Sequence, residues 1–508
     1  MTPPFRKILI ANRGEIAVRI MRTCRELGVG TVAVYSDADA AMPHVLAADE
    51  AYRIGPPPSR ESYLRMDTLL DVARRSGAEA IHPGYGFLAE NPAFAAAVAD
   101  AGLVFIGPPA SAIRAMGDKT SARSLVRKAG VPIVPGTEEP LRNVDEARAF
   151  IQTHGMPVLL KAAAGGGGKG MRVVRTLDEL SSAFAQAQSE ARSAFGDERI
   201  YIEKYLDQPR HIEIQILADA HGSVIHLGER ECSIQRRHQK IIEESPSVLV
   251  DEAMRAAMGE TACRAARACG YVNAGTIEFL VDRSRSFYFL EMNTRLQVEH
   301  PVTEMRTGLD LVAEQLNIAS GQPLRIRQED VQWRGHAIEC RICAEDPAND
   351  FFPSTGRITH IRPAQGPGLR EDRGFEAGSE VSLFYDPLLS KVIAWAEDRE
   401  HAIARMVRAL REYEVTGVTT NVGVHLFVLQ HPEFRAGTFD TGFLGRYLTP
   451  DALKGFCGDA SLPAAVLAAW VSHEHRDGES LQLKATDPAK RPSGWKSQRT
   501  AAMRGGRT

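Results

Sequence analysis

Thr276-Ile-Glu-Phe-Leu-Val281 and Ser286-Phe-Tyr-Phe-Leu-Glu-Met-Asn-Thr-Arg-Leu-Gln-Val-Glu-His300 flank a turn-like tetrapeptide, Asp282 to Arg285. The segments beside the turn alternate and are rich in β-formers, so the stretch predicts a β-hairpin. With Val281 opposite Ser286, Glu278 falls opposite Phe289, and Glu291 lies two residues further along the same face. Two carboxylates on one face of an apolar hairpin repel each other, so a positive charge is expected between them. Oxygen ligands suit a hard divalent cation, Mg²⁺ or Mn²⁺. After Glu291 the polar residues fall at alternate positions: Asn293, Arg295, Gln297 and Glu299 line one extended edge. The plain alternative is an exposed strand with surface salt bridges. It does not explain acids set among Phe279, Leu280, Phe287 and Phe289.

The 508 residues are enough for about two to four domains with ample core. Hydrophobic residues at 44% and charged residues at 25% are ordinary for a globular protein. A formal net charge of −3 gives no global field toward nucleic acid or an anionic membrane. The seven cysteines are odd in number and scattered. Cys340-Arg-Ile-Cys343 has CxxC spacing, but no second CxxC or paired histidine accompanies it, so reduced thiols in a cytoplasmic compartment are expected. No secretory apolar segment opens the chain and no run of ~18 apolar residues occurs, so neither export nor a membrane span is indicated.

From the N-terminus, short apolar runs alternate with helical patterns. Lys7 to Ala11, Thr31 to Tyr35, Glu79 to Ile81 and Leu103 to Ile106 read as strands. Ile16 to Leu27, Tyr63 to Ser76 and Pro92 to Ala101 read as helices. This order predicts a parallel α/β sheet of Rossmann-like type. The first turn lacks G-x-G-x-x-G, so nothing argues for a dinucleotide. His82-Pro-Gly-Tyr-Gly-Phe87 follows a strand end, where ligands bind in such sheets, and is either a site wall or a rigid turn.

Further on, strands at Met156 to Lys161 and Met171 to Val174 flank Ala162-Ala-Ala-Gly-Gly-Gly-Gly-Lys-Gly170. This is not a Walker A loop, because no Ser or Thr follows Lys169 and position 163 is alanine. A strand follows the glycines, so the dinucleotide fingerprint fails as well. Consecutive glycines expose backbone N–H groups, and with Lys161 and Lys169 they suit a mobile flap over ATP phosphates better than a functionless linker. The segment Glu203-Lys204-Tyr205-Leu206 is hinge-like and could read an adenine edge. Alternation puts His211, Glu213 and Gln215 on one face. Arg230 to Lys240 is basic and reads as a solvated loop or as an anion-binding wall with Gln235, His238 and Lys240. Glu339, Arg341 and Cys343 share a strand face.

Taken together, Lys161 with Gly165 to Gly170, Glu203-Lys204, His211, Arg236-Arg-His-Gln-Lys240, Glu278, Glu291-Met-Asn-Thr-Arg-Leu-Gln-Val-Glu-His-Pro301 and Glu339-Cys-Arg341 resemble biotin carboxylase, the ATP-grasp component of biotin-dependent acyl-CoA carboxylases. The similarity covers nearly all of residues 5–448. It implies an α/β (α+β) fold in three parts: a Rossmann-like N-terminal domain over 1–116, an ATP-grasp domain over 117–320 with a mobile glycine-rich lid at about 134–206, and a C-terminal domain over 321–448. Residues 449–508 are expected to be a disordered basic tail. The resemblance implies that Lys119, Lys161, Gly165, Gly166, Gly167, Gly168, Met171, Glu203, Lys204, Tyr205, Leu206, His211, Gln235, His238 and Leu280 surround ATP. It places the metal on Glu278, Glu291 and Asn293, and bicarbonate on Lys240, Arg295, Gln297, Val298 and Glu299. Glu299 is then the base, Lys240 and Arg295 act with it, and Tyr85 and Arg341 face biotin.

Cys343 stands where many relatives of that family carry asparagine. No Met-Lys-Met biotin-attachment sequence is present, so the biotinylated carrier protein and the carboxyltransferase are expected as separate chains. A homodimer is expected from the family. Two rivals are another ATP-grasp ligase and a non-catalytic nucleotide-binding scaffold. The first does not need Arg341 or the Arg236 to Lys240 loop, and the second predicts a lost acid or lysine.

Overall fold

The computed structural model describes residues 3–137, 139–162, 171–195, 197–453 and 456. The strands Lys7–Ile10, Gly30–Ser36, Glu50–Gly55, Ala80–His82 and Val104–Phe105 form one parallel sheet. Ile8, Leu9, Ile10, Val32 and Val34 are completely buried, as in a sheet covered on both faces. Ile16 and Ile20 of the helix Gly14–Glu26 pack against Ile8 and Ile10. Leu69, Val72 and Phe94, from the helices Met66–Ser76 and Pro92–Asp100, pack with Leu9, Val32 and Val34. The expected parallel α/β unit is present, and the strand Glu50–Gly55 adds an edge that apolar patterning does not reveal.

A second, antiparallel sheet carries the centre of the molecule. Its strands lie in the order Phe287–Asn293, Asn273–Val281, Arg210–Ala218, Val224–Arg236, Gln239–Ser245, His336–Cys343, Leu388–Ala396, Leu369–Arg373. The sheet continues without a break across residue 320. Strand alternation divides its faces. Ile212, Ile214 and Ile216 pack with Met258, Ala262 and Ala265 of the helix Glu252–Ala268. His211, Glu213 and Gln215 therefore share the opposite face, as their spacing predicts.

A third sheet joins Met171–Val174, Val158–Ala162 and Ile200–Lys204, all antiparallel. The helices Val144–His154 and Leu177–Phe195 back it, and Ile151, Leu160, Val174, Phe184 and Ile202 give it a core of its own. The glycine-rich connection 163–170 lies outside the described residues, and with it Gly165, Gly166, Gly167, Gly168 and Lys169. So does the chain beyond 456, where most of the expected basic tail falls. Pro450–Leu453 is a short helix whose Leu453 is buried in the C-terminal core, so ordered chain runs past 448. Among the described residues no helix is long and apolar enough to cross a membrane.

Three local readings change. The hairpin pairs Val281 with Phe287, and Leu290 is an extra residue between Phe289 and Glu291. That bulge places Glu278 directly opposite Glu291 rather than opposite Phe289. The register also depends on Asp282, which closes the turn, its Oδ1 accepting from the backbone of both Ser284 and Ser286 at 2.9 Å. Arg230 to Lys240 is not a loop but two paired strands. Their two-residue turn, Arg237-His238, has φ of +49° and +67°, the left-handed pair that a tight hairpin turn requires. Asn293 to Glu299 is not an extended edge: the strand stops at Asn293, and Glu299 directly precedes the helix His300–Thr307.

Candidate active site

Lys240 is the hub of the polar face. Its Nζ donates to Glu213 at 2.6 Å, Glu278 at 2.8 Å and Glu299 at 2.6 Å. These acids come from three different elements, and all are buried. Burial opposes the lysine's charge, but Glu213, Glu299 and Glu278 together raise its pKa well above the ordinary value. Glu278 is held from every side. Oε1 also accepts from Asn293 at 2.9 Å and Gln297 at 2.8 Å, and Oε2 faces His211 Nε2 at 2.9 Å. Burial works against its ionisation, yet Lys240 and His211 hold it well below the usual carboxylate range.

Beneath this layer the fully buried Arg230 pairs with Glu213 and donates to Gln215 and Gln297 at 2.7 Å and to Thr276 and Thr303 at 3.0 Å. A buried guanidinium with this many acceptors fixes the elements that carry them. On the other side, Arg341 pairs with Glu243 and reaches Glu299 Oε2 at 3.0 Å. The Arg341 backbone carbonyl accepts from Asn421 at 3.0 Å and from His425 at 2.7 Å, which fixes the strand there. Burial would protonate Glu299, but Lys240, Arg341 and Arg230 keep it ionised.

Lys240 and Arg341 open into a cavity of about 530 Å³, lined also by Tyr85, Arg295, Val298, Cys343, Phe384 and Tyr385. Tyr85 is presented by a loop fastened through Asn12, whose Nδ2 donates to the carbonyls of Pro83 and Tyr85 at 2.7 Å. Gly84 makes this possible: its φ is +62°, and a Cβ there would lie 2.9 Å from Asn12 Nδ2. Tyr85 hydrogen-bonds Glu15, which faces the fully buried Lys391 at 3.2 Å. Lys391 also donates to the Val298 carbonyl at 2.8 Å. Arg295 is turned to Glu90 and to Asn293 Oδ1, both at 3.0 Å. Cys343 is half-buried, and burial pushes its thiol well up.

On the third sheet, Glu203 is clasped by Lys161 and Arg123. Lys204 donates to the Met156 carbonyl at 2.7 Å, and Met171 is exposed. The side chain of Lys119 is outside the described set. Gln235 is half-buried on the strand before the hairpin turn, His238 is exposed within the turn, and Leu280 is half-buried beside His211 in register.

The chain matches the biotin carboxylase N-terminal domain over residues 4–113, the carbamoyl-phosphate synthase L chain ATP-binding domain over 118–327, and the biotin carboxylase C-terminal domain over 339–446. A biotin carboxylase of Nostoc sp. is 53% identical over 440 residues, covering 87% of this chain and 98% of the relative. The chain belongs to the biotin carboxylase family. It is an ATP-dependent ligase with biotin carboxylase activity, built on the three-domain fold of that family. The propionyl-CoA carboxylase alpha chain of Ruegeria pomeroyi is 49% identical over 505 residues, 95% of this chain and 73% of that protein. Among solved structures, the biotin carboxylase domain dimer of Hydrogenobacter thermophilus 2-oxoglutarate carboxylase aligns with a TM-score of 0.80. It is 47% identical, over 89% of this chain and 99% of that one, and it holds MgADP, ADP and bicarbonate.

The family's expected metal set fits this structure. Glu278 and Glu291 stand opposite each other across the hairpin, with Asn293 two residues further along the strand of Glu291. Glu291 and Asn293 line a second cavity of about 290 Å³. All are hard oxygen donors of the kind Mg²⁺ prefers. His211, Glu213 and Glu278 also cluster within 4.8 Å, so Glu278 is common to both groups, and Lys240 reaches Glu213 and Glu278 there. Arg230, Glu15, Lys391 and Glu90 were not foreseen as site residues. Glu213 and Gln215 at alternate positions were the available hint, since a buried acid calls for a buried cation.

Proposed function

We propose that the cavity beside Lys240 and Arg341 is where biotin is carboxylated, after ATP has converted bicarbonate to carboxyphosphate. The observation that carries this is the junction at Glu299: one oxygen on Lys240, the other on Arg341, both cations reaching into the same cavity. Bicarbonate is an anion that must lose a proton before it attacks the γ-phosphate. Lys240, with Arg295, Gln297 and the Val298 backbone, forms its seat, and Glu299 takes its proton. A carboxylate held this strongly is a weak base in the empty site. When the bicarbonate anion draws Lys240 and Arg341 towards itself, their hold on Glu299 loosens and its proton affinity rises.

Glu278, Glu291 and Asn293 would hold Mg²⁺ or Mn²⁺, which neutralises phosphate charge during transfer. Lys119, Lys161, Glu203 to Leu206, His211, Gln235, His238 and Leu280 are proposed to enclose the nucleotide, with the glycine connection and Met171 as the lid. Carboxyphosphate then releases CO₂ and phosphate. Tyr85 and Arg341 orient the biotin ureido group, whose ring nitrogen bonds to the carbon of CO₂ as its proton passes to the released phosphate. The Arg341 guanidinium stabilises the oxyanion that develops. A biotinylated carrier brings the ring, and a carboxyltransferase consumes the product. Association as a homodimer belongs to the same proposal.

The test is ATP hydrolysis with Mg²⁺, with and without bicarbonate, then with free biotin. Bicarbonate-dependent turnover that biotin stimulates, with carboxybiotin formed, is the expected result. Turnover indifferent to both points instead to another ATP-grasp substrate, and nucleotide binding without turnover points to the scaffold.

A further inference from the structure

We infer that Glu243 and Glu339 form a buried positioning pair that keeps the Arg341 guanidinium in place while Glu299 gains and loses its proton. The inference rests on the proposed role of Arg341. The two acids are direct partners across neighbouring antiparallel strands, Gln239–Ser245 and His336–Cys343. Both are completely buried, and neither lines the cavity. The charged groups around them are Arg341, Glu299 at the head of its helix, Lys240 on the strand of Glu243, and Lys391 on the strand Leu388–Ala396.

Two carboxylates buried side by side repel each other and do not ionise together. Neither acid has an oxygen with a hydrogen-bond donor among the described residues, but Glu243 has an ion pair with Arg341 and Glu339 has none there. Lys391, the base that bears on it, is engaged by Val298 and Glu15. Glu243, against Arg341, is therefore the first of the pair to ionise, and the remaining proton stays on Glu339. This matters because Arg341 has a second acid partner, Glu299, which is neutralised each time it accepts the proton of bicarbonate. With Glu243 still charged, the guanidinium stays paired and aimed at the cavity at that moment. Without it, Arg341 loses its remaining anchor just as the ureido oxyanion forms.

The experiment uses the full chain as the unaltered protein, Glu243→Gln, Glu339→Gln, Arg341→Ala, and the combined Glu243→Gln/Arg341→Ala variant. ATP cleavage is measured with bicarbonate, with and without free biotin. Biotin stimulation of the unaltered chain comes first; its absence removes the reading of Arg341 and this inference with it. Glu243→Gln is expected to lower biotin-stimulated turnover about 10-fold, the effect of one lost charged hydrogen bond. Turnover without biotin stays within about 2-fold, and Glu243→Gln adds no further loss when Arg341 is already alanine. Glu339→Gln, which fixes the neutral state, costs less than about 3-fold. Equal losses with and without biotin, or losses that add in the combined variant, overturn the inference, because a merely structural role behaves so. If Glu243→Gln does not fold, Glu243→Asp is read in the same assay. That variant keeps the charge but draws it back, so a smaller loss confined to biotin-stimulated turnover is expected, and full activity overturns the inference.

Discussion

Lys240 and Lys161 each face glutamate, but on sheets that treat the contact in opposite ways. On the eight-stranded sheet, Lys240 holds three acids that are nearly or wholly removed from solvent. On the three-stranded sheet, Lys161 meets only Glu203 among the described residues, an acid that Arg123 shares, and about a third of the lysine side chain is exposed. In a low-dielectric place an ion pair is strong once formed and costly to break from one side. In a wet place it is weak and exchanges easily. The large sheet is thus a preformed charged template, which suits the proposed seat for a small anion. The small sheet offers a more exposed lysine, which suits its proposed role toward a phosphate.

The contrast is broken most severely by Lys240→Ala. It strands Glu213, Glu278 and Glu299 in the interior without their shared cation. A loss of ~3–5 kcal/mol in denaturant unfolding is expected, together with loss of bicarbonate-dependent turnover. Near-normal stability would mean the acids are already neutral and the template is not charged. Arg341→Ala comes next. It should cost ~10²–10³ in biotin carboxylation while ATP affinity changes little, the magnitude of removing one oxyanion donor. Near-normal carboxylation by that variant would sink the role.

Lys161→Ala should be milder and of another kind. The pair with Glu203 is worth under ~1 kcal/mol, so unfolding should hardly move. The KM for ATP should rise by about 10-fold, one charged contact to a phosphate. If stability fell as far as for Lys240→Ala, the two sheets would not differ in the way their exposure suggests.

The same division explains what could be read from the sequence. Runs such as Ile8-Leu-Ile10 announced a sheet buried on both faces, and the alternation of Ile212, Ile214 and Ile216 announced one with a single apolar face, although its polar face is buried too. The acids Glu278 and Glu291 stood out because they interrupt apolar strands. Their direct opposition did not, because it depends on the extra Leu290, and alternation cannot count a bulge. Arg230 belongs by composition to a basic cluster, although its neighbours Glu229 and Glu231 are themselves buried. Composition registers charge but not the partner that neutralises it. Glu15 and Lys391 lie 376 positions apart in sequence, and only folding brings them together at Tyr85 and Val298.

The smallest effect concerns protons that the large sheet retains. Burial raises Glu243 to about 7 against the pull of Arg341, and raises Glu15 to about 7 against Lys391. A carboxyl whose folded pKa lies above its ordinary 4.5 keeps its proton in the folded chain after the unfolded chain has lost it. Its contribution to stability is therefore largest at low pH, falls between about 4.5 and 7, and is constant above. The unaltered chain alone does not isolate this. Burial lowers His44, His82, His300 and His425, and these make stability rise with pH up to their unfolded value. Glu299 and Asp372, held low by their cations, lose stability only in stronger acid. Comparison of Glu243→Gln with the unaltered chain cancels those groups. The Tm of the variant relative to the unaltered chain should rise from pH 5 to pH 8 by no more than a few °C, as ~1 kcal/mol moves Tm by only ~2–4 °C in a chain of 150–250 residues and less in a longer one. A difference that stays constant over that range would mean Glu243 is already ionised at pH 5. The charge that holds Arg341 would then owe nothing to the proton on Glu339.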